Sequence, residues 1–127
     1  MADSETPRDY DREYQRNLPG PLQVRVGRDT EHGSVSRFLV QLEYYYLDDG
    51  WQTVVRYDHD PDSEFGHDVA DEGLHMDIYR DGEKYRTEFI SPPMEPAVAL
   101  DHAEDHLAQN LQRYVERFEE WHGIRSR

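Results

Sequence analysis

A chain of 127 residues suffices for one domain with its own core, and the absence of cysteine excludes disulfides, thiolate zinc sites and a cysteine nucleophile. Twenty-eight acidic residues against fourteen basic ones give a net charge of -14, and Lys84 is the only lysine; such a surface repels itself in dilute buffer and is screened in molar salt, as in the cytoplasm of extreme halophiles. The charge weighs against electrostatic nucleic-acid binding at low salt, and the chain shows neither a signal-peptide pattern nor a run of about 18 apolar residues, so a cytoplasmic protein without a membrane span is expected.

Residues 1–6 read as a disordered tail and residues 7–127 as a single α+β domain. Thr6-Pro7-Arg8-Asp9 has the marks of a helix start, and Tyr10, Tyr14 and Leu18 at i, i+4 and i+8 extend it into a short amphipathic helix that Pro19-Gly20-Pro21 ends. The period then changes to two. Leu22, Val24 and Val26 alternate with polar residues, as do Phe38, Val40, Leu42, Tyr44 and Tyr46. Asp48-Asp49-Gly50 turns the chain into a third strand that ends at Tyr57, an acidic stretch over residues 58–73 interrupts the meander, and Leu74, Met76 and Ile78 resume it. Asp81-Gly82 is a tight hairpin into Tyr85, Thr87 and Phe89, which are expected to face the core. Leu100, Ala103, Leu107, Leu111, Tyr114, Phe118 and Trp121 form one stripe of a long helix that starts at Pro96 or at Asp101 and ends near Gly123. The predicted architecture is an antiparallel meander of about five strands, one face covered by the C-terminal helix, whose length of roughly 40 Å at 1.5 Å per residue would overhang the sheet.

The other face is where chemistry is expected. With Val55 and Tyr57 pointing at the helix, Arg56 and Asp58 point away, and His75 and Asp77 do the same on the next strand; Arg86 and Glu88 are expected to join them. Arg56 can hold a phosphate oxygen, and His75 beside Asp77 can exchange a proton near neutral pH. Cross-strand ion pairing on a solvated face is the competing account. Asp58-His59-Asp60-Pro61-Asp62 opens like a calcium loop, but Ser63 and Val69 stand where glycine and glutamate are required. His102 and His106 lie one turn apart but off the apolar stripe, and His67, His75 and His106 converge only if the acidic loop folds back. No metal and no cofactor are therefore expected. Tyr45 is the one tyrosine of the run Tyr44-Tyr45-Tyr46 expected to be an exposed stacking platform.

Arg8-Asp9-Tyr10-Asp11-Arg12-Glu13, Leu18-Pro19-Gly20-Pro21, Gly66-His67-Asp68, Gly73-Leu74-His75-Met76-Asp77 and the Arg117-Phe118-Glu119-Glu120-Trp121-His122-Gly123 ending together resemble a family of small uncharacterised haloarchaeal proteins. More distantly, Arg56-Tyr57-Asp58 followed by His75-Met76-Asp77 resembles the TumE family of toxin-antitoxin proteins, although Asp77 stands where a second histidine is expected. That resemblance implies a ribonuclease-like toxin with Arg56, Asp58 and His75 in its active site. The enzymatic expectation is metal-independent RNA cleavage, with His75 as general base, Asp77 or Asp58 orienting it and Arg56 offsetting phosphorane charge. RNA would be its substrate and an antitoxin its partner. The alternative is a non-catalytic module that binds a protein or self-associates through its two helices.

Overall fold

The computed structural model describes residues 10–64 and 66–124. The expected tail over residues 1–6 and the helix start at Thr6-Pro7-Arg8-Asp9 lie outside them. Six strands, β1 (Arg12–Leu18), β2 (Leu22–Glu31), β3 (Ser34–Tyr46), β4 (Gly50–His59), β5 (Leu74–Arg80) and β6 (Glu83–Ser91), pair antiparallel in chain order. A short helix, α1 (Val69–Glu72), lies between β4 and β5, and α2 (Pro96–Trp121) closes the chain. The α+β class and the C-terminal helix stand as expected, with six strands rather than about five.

The additional strand is β1, where a helix was expected. Tyr14 and Leu18 are four residues apart, a spacing that fits one helix face and equally one strand face. The tie is broken by Pro19-Gly20-Pro21, which folds the chain back so that Leu18 pairs with Leu22 and Arg12 with Arg28; Gly20 supplies the positive φ of 80°. Asp81 and Gly82, with φ of 56° and 81°, form the expected two-residue hairpin between Arg80 and Glu83.

The core lies between α2 and one face of the sheet. Phe38, Val40, Leu42, Val55, Tyr57, Leu74, Met76 and Ile78 are fully buried there against Ala99, Leu100, Ala103, Leu107, Tyr114 and Phe118 of the helix. Each fully buried side chain of this size contributes about 1.5–3 kcal/mol by leaving water. Pro96 is the first helical residue, and Gly123, at φ 65°, lets Ile124 N–H reach back to the Glu119 carbonyl at 2.9 Å. The helix does not overhang. Burial runs from Ala99 to Phe118, and Trp121 meets Tyr85 edge-on at 5.2 Å.

One strand departs from its expected faces. The β5–β6 register shifts between Ile78 and Tyr79, so that Ile78 pairs with Arg86, Tyr79 with Lys84, and Tyr85 is the extra residue of a bulge. Arg86 and Glu88 therefore stand opposite the core residues Ile78 and Met76, while Lys84 and Thr87 take the polar face. Edge position makes this tolerable: Arg86 stays exposed and bonds Glu88 at 3.4 Å.

Candidate functional site

The polar face of the sheet has two parts. Across β1, β2 and β3 it is a hydrogen-bonded ladder centred on Glu43, which accepts from Gln23 Nε2 and Gln41 Nε2 at 2.6 Å each and from Arg25 at 3.3 Å. Arg25 also bonds Glu13 at 2.8 Å, and Arg56 Nε reaches Gln41 Oε1 at 2.8 Å, carrying the ladder to β4. Gln23, Arg25, Gln41 and Glu43 are all buried although α2 lies on the opposite face. Their polar atoms pair with one another, which makes that burial affordable.

The second part spans β4, β5 and the acidic stretch between them. That stretch is ordered by specific contacts. The Asp60 N–H donates to the His67 carbonyl at 2.8 Å, and a β-carbon on Gly66 would collide with the Asp60 carbonyl, so the loop closes tightly only with glycine there. Asp68 caps α1 by accepting from Ala70 N–H at 3.1 Å, and Val69 is buried while its N–H donates to Nδ1 of the buried His59, also at 3.1 Å. The loop thus folds back and delivers His67 onto the sheet.

Three of the four expected residues meet around that histidine. His67 Nε2 lies 3.2 Å from Asp77 Oδ1 and 3.9 Å from Asp58 Oδ1, and its ring stacks on His75 with centroids 5.3 Å apart and planes within 10°. Arg56 pairs in register with Asp77 across β4–β5 and lies over the Tyr79 ring at 5.7 Å. No hydrogen bond among the described residues joins Arg56, Asp58 and His75 directly; His67 stands between the last two. Asp77 does not orient His75. Its oxygens go to His67, to Thr87 Oγ1 at 2.7 Å and to Lys84 Nζ at 3.3 Å. His75 Nδ1 instead lies 3.2 Å from the Gly73 carbonyl, and its ring meets Phe89 edge-on at 5.6 Å. A carbonyl oxygen only accepts, so Nδ1 carries the proton and the neutral ring presents a bare Nε2.

The two carboxyls diverge. Burial pushes Asp77 up, but hydrogen bonds from His67 and Thr87 and the charges of His67 and Lys84 outweigh it and hold the group at about 2. Burial, with the negative charge of Asp77, pushes Asp58 up to about 6 against the pull of His67 and Arg56. The His67 ring is raised, first by its bond to Asp77 and then by the charges of Asp58 and Asp77, against burial.

Other candidates lie elsewhere. His106 is on the core side, with Nδ1 2.8 Å from the Tyr57 hydroxyl. Tyr45 is exposed as expected, and Trp51, its cross-strand partner, packs on it edge-on at 5.3 Å and is exposed too. Sequence reasoning weighed His67 only for convergence with His75 and His106. The one local signal beside it is Asp68, a helix-capping acid one residue after His67, which marks the start of α1 but does not place the histidine. Two groups of potential metal ligands occur among the described residues, Asp58/His67/Asp77 and His67/Glu72/His75. Both draw on separate segments, which is why no spacing motif announces them.

Sheet, helix and acid–histidine cluster define a small α+β domain with one sheet face covered by a helix and the other polar. Within that class, the chain belongs to the family described as Domain of unknown function (DUF7718), whose model matches residues 3–124. No curated protein and no solved structure matches it. No helix among the described residues is long and apolar enough to cross a membrane.

Proposed function

We propose that the β4–β5 half of the polar face cleaves RNA, in the manner of a ribonuclease toxin working in a salt-rich haloarchaeal cytoplasm. The observation that carries it is His75, half-buried, with its proton fixed on Nδ1 by a backbone carbonyl and Nε2 left free to act as base. Nε2 takes the proton of a ribose 2′-hydroxyl as that oxygen bonds to phosphorus. The bond from phosphorus to the 5′-oxygen breaks, leaving a cyclic phosphate and a 5′-hydroxyl protonated from water. Arg56 and Lys84 offset the charge that builds on the phosphorane. Phe89, 62 % exposed beside His75, offers a surface on which a base can stack. The likeness of Arg56-Tyr57-Asp58 and His75-Met76-Asp77 to TumE toxins supports the same reading.

His75→Ala and Arg56→Ala should each lower RNA cleavage in high salt by ~10² or more and relieve growth inhibition on expression. Each should change stability by less than about 1 kcal/mol. A wild-type protein that neither cleaves RNA nor inhibits growth overturns the proposal. Self-association or antitoxin capture through the edges β1 and β6 is the second reading, supported by the lack of a further strand on either edge among the described residues. Sedimentation of the pure protein as a monomer at all concentrations removes its self-association half.

A further inference from the structure

Oδ1 of Asp58 is buried, and no donor among the described residues reaches it. A carboxylate oxygen in that position is costly unless the group takes a proton or a cation settles beside it. It does not stand alone. One ligand atom each from Asp58, His67 and Asp77 lies within 4.8 Å of the other two, and the three residues come from β4, the folded-back loop and β5.

We propose that Asp58, His67 and Asp77 hold a divalent transition ion, Zn²⁺ or Mn²⁺, on the polar face. Two carboxylates and one imidazole form a mixed oxygen and nitrogen set of the kind these ions accept. Ligands about 2.1 Å from one ion stand roughly 3.0–3.5 Å apart. The His67–Asp77 pair is already at 3.2 Å. Asp58, at 3.9 Å from His67, has to move inward to reach that spacing. Asp77 is steadied from behind by Thr87 and Lys84, and His67 by the backbone bond that closes its loop. The alternative group of His67, Glu72 and His75 is weaker, because Glu72 is about half exposed.

Three protein ligands leave room for an oxygen of the substrate. The proposal rests on this face being a working site, and it supplies what the cleavage scheme lacks, a Lewis acid for the departing 5′-oxygen.

The test is uptake of Zn²⁺ by chelator-stripped, full-length protein in high salt, followed by calorimetry and elemental analysis. One ion per chain is expected. Asp58→Asn and His67→Gln should each weaken binding tenfold or more, while His102→Ala on α2, outside the cluster, leaves it unchanged. On the wild type, Mn²⁺ should broaden the ring resonances of His67 and His75 and spare those of His102 and His122, a readout that stands even if a variant fails to fold. No uptake, or uptake indifferent to Asp58 and His67, overturns the site. Cleavage of RNA by stripped protein that takes up no ion leaves the proposed function standing and removes the ion. Ion binding without cleavage does the reverse.

Discussion

Glu43 and Asp58 are both acids on one face of one sheet, and their surroundings are opposite. Glu43 receives three donors, and every contact it makes is part of a ladder that runs from Gln15 to Arg56. Asp58 faces a second carboxylate across a single imidazole, and one of its oxygens has no described partner. Burial of an acid is therefore not what marks function on this face. A satisfied buried network stabilises and specifies the sheet, whereas an unsatisfied atom is a cost the fold carries, and such costs concentrate where chemistry is done.

The contrast breaks most sharply in activity. Asp58→Asn keeps the shape and removes the charge, and cleavage should fall by ~10². Full activity in that variant removes Asp58 from the site. Glu43→Ala strands Arg25 and two amides in a buried setting and should cost about 3 kcal/mol. A loss below about 1 kcal/mol in a denaturant titration would mean that water already shares the ladder. Both measurements belong in high salt, because a net charge of -14 opposes folding in dilute buffer. The melting midpoint should rise from dilute buffer to about 2 M KCl, where the screening length is ~2 Å. Equal midpoints would show that the charge is spread too widely to matter.

The smallest effect is the most specific. The Asp58 carboxyl holds its proton more tightly folded than unfolded, since its value rises from 3.8 to about 6. Its contribution to stability is therefore complete below 3.8 and is lost as pH rises to about 6. Asp58→Asn, which cannot ionise, should melt above the wild type at pH 7.5 and lose that advantage toward pH 4. A difference that is flat with pH, or opposite in sign, contradicts the buried, uncompensated state described for Asp58.

Much of this face could be read from alternation. Val55 and Tyr57 against Arg56 and Asp58, and Met76 and Ile78 against His75 and Asp77, divide as the period of two requires, because both strands are central and a one-residue slip would bury charge in the core. The edges were less legible. On β1 the spacing of Tyr14 and Leu18 suits helix and strand alike, and only pairing with β2 decides. On β6 a bulge at Tyr85 reverses the faces of Arg86, Thr87 and Glu88, and nothing local in the sequence signals an extra residue. His67 was hidden for a third reason. Its place is set by a loop closure between Asp60 and Gly66, a contact that depends on backbone shape rather than on any side-chain pattern.

The seam between β4 and β5 has a kinetic consequence. Only Val55, Arg56 and Tyr57 pair there, with Ile78, Asp77 and Met76, while β3 and β4 pair from Phe38–His59 to Tyr46–Gly50. Sheets open where their ladders are shortest, so amide hydrogens along this seam should exchange ahead of those between β3 and β4. The same seam separates Arg56 and Asp58 from His75 and Asp77. Each transient parting of the two strands would take the site apart while leaving the β1–β4 meander intact, so the lifetime of the assembled site is shorter than the lifetime of the fold.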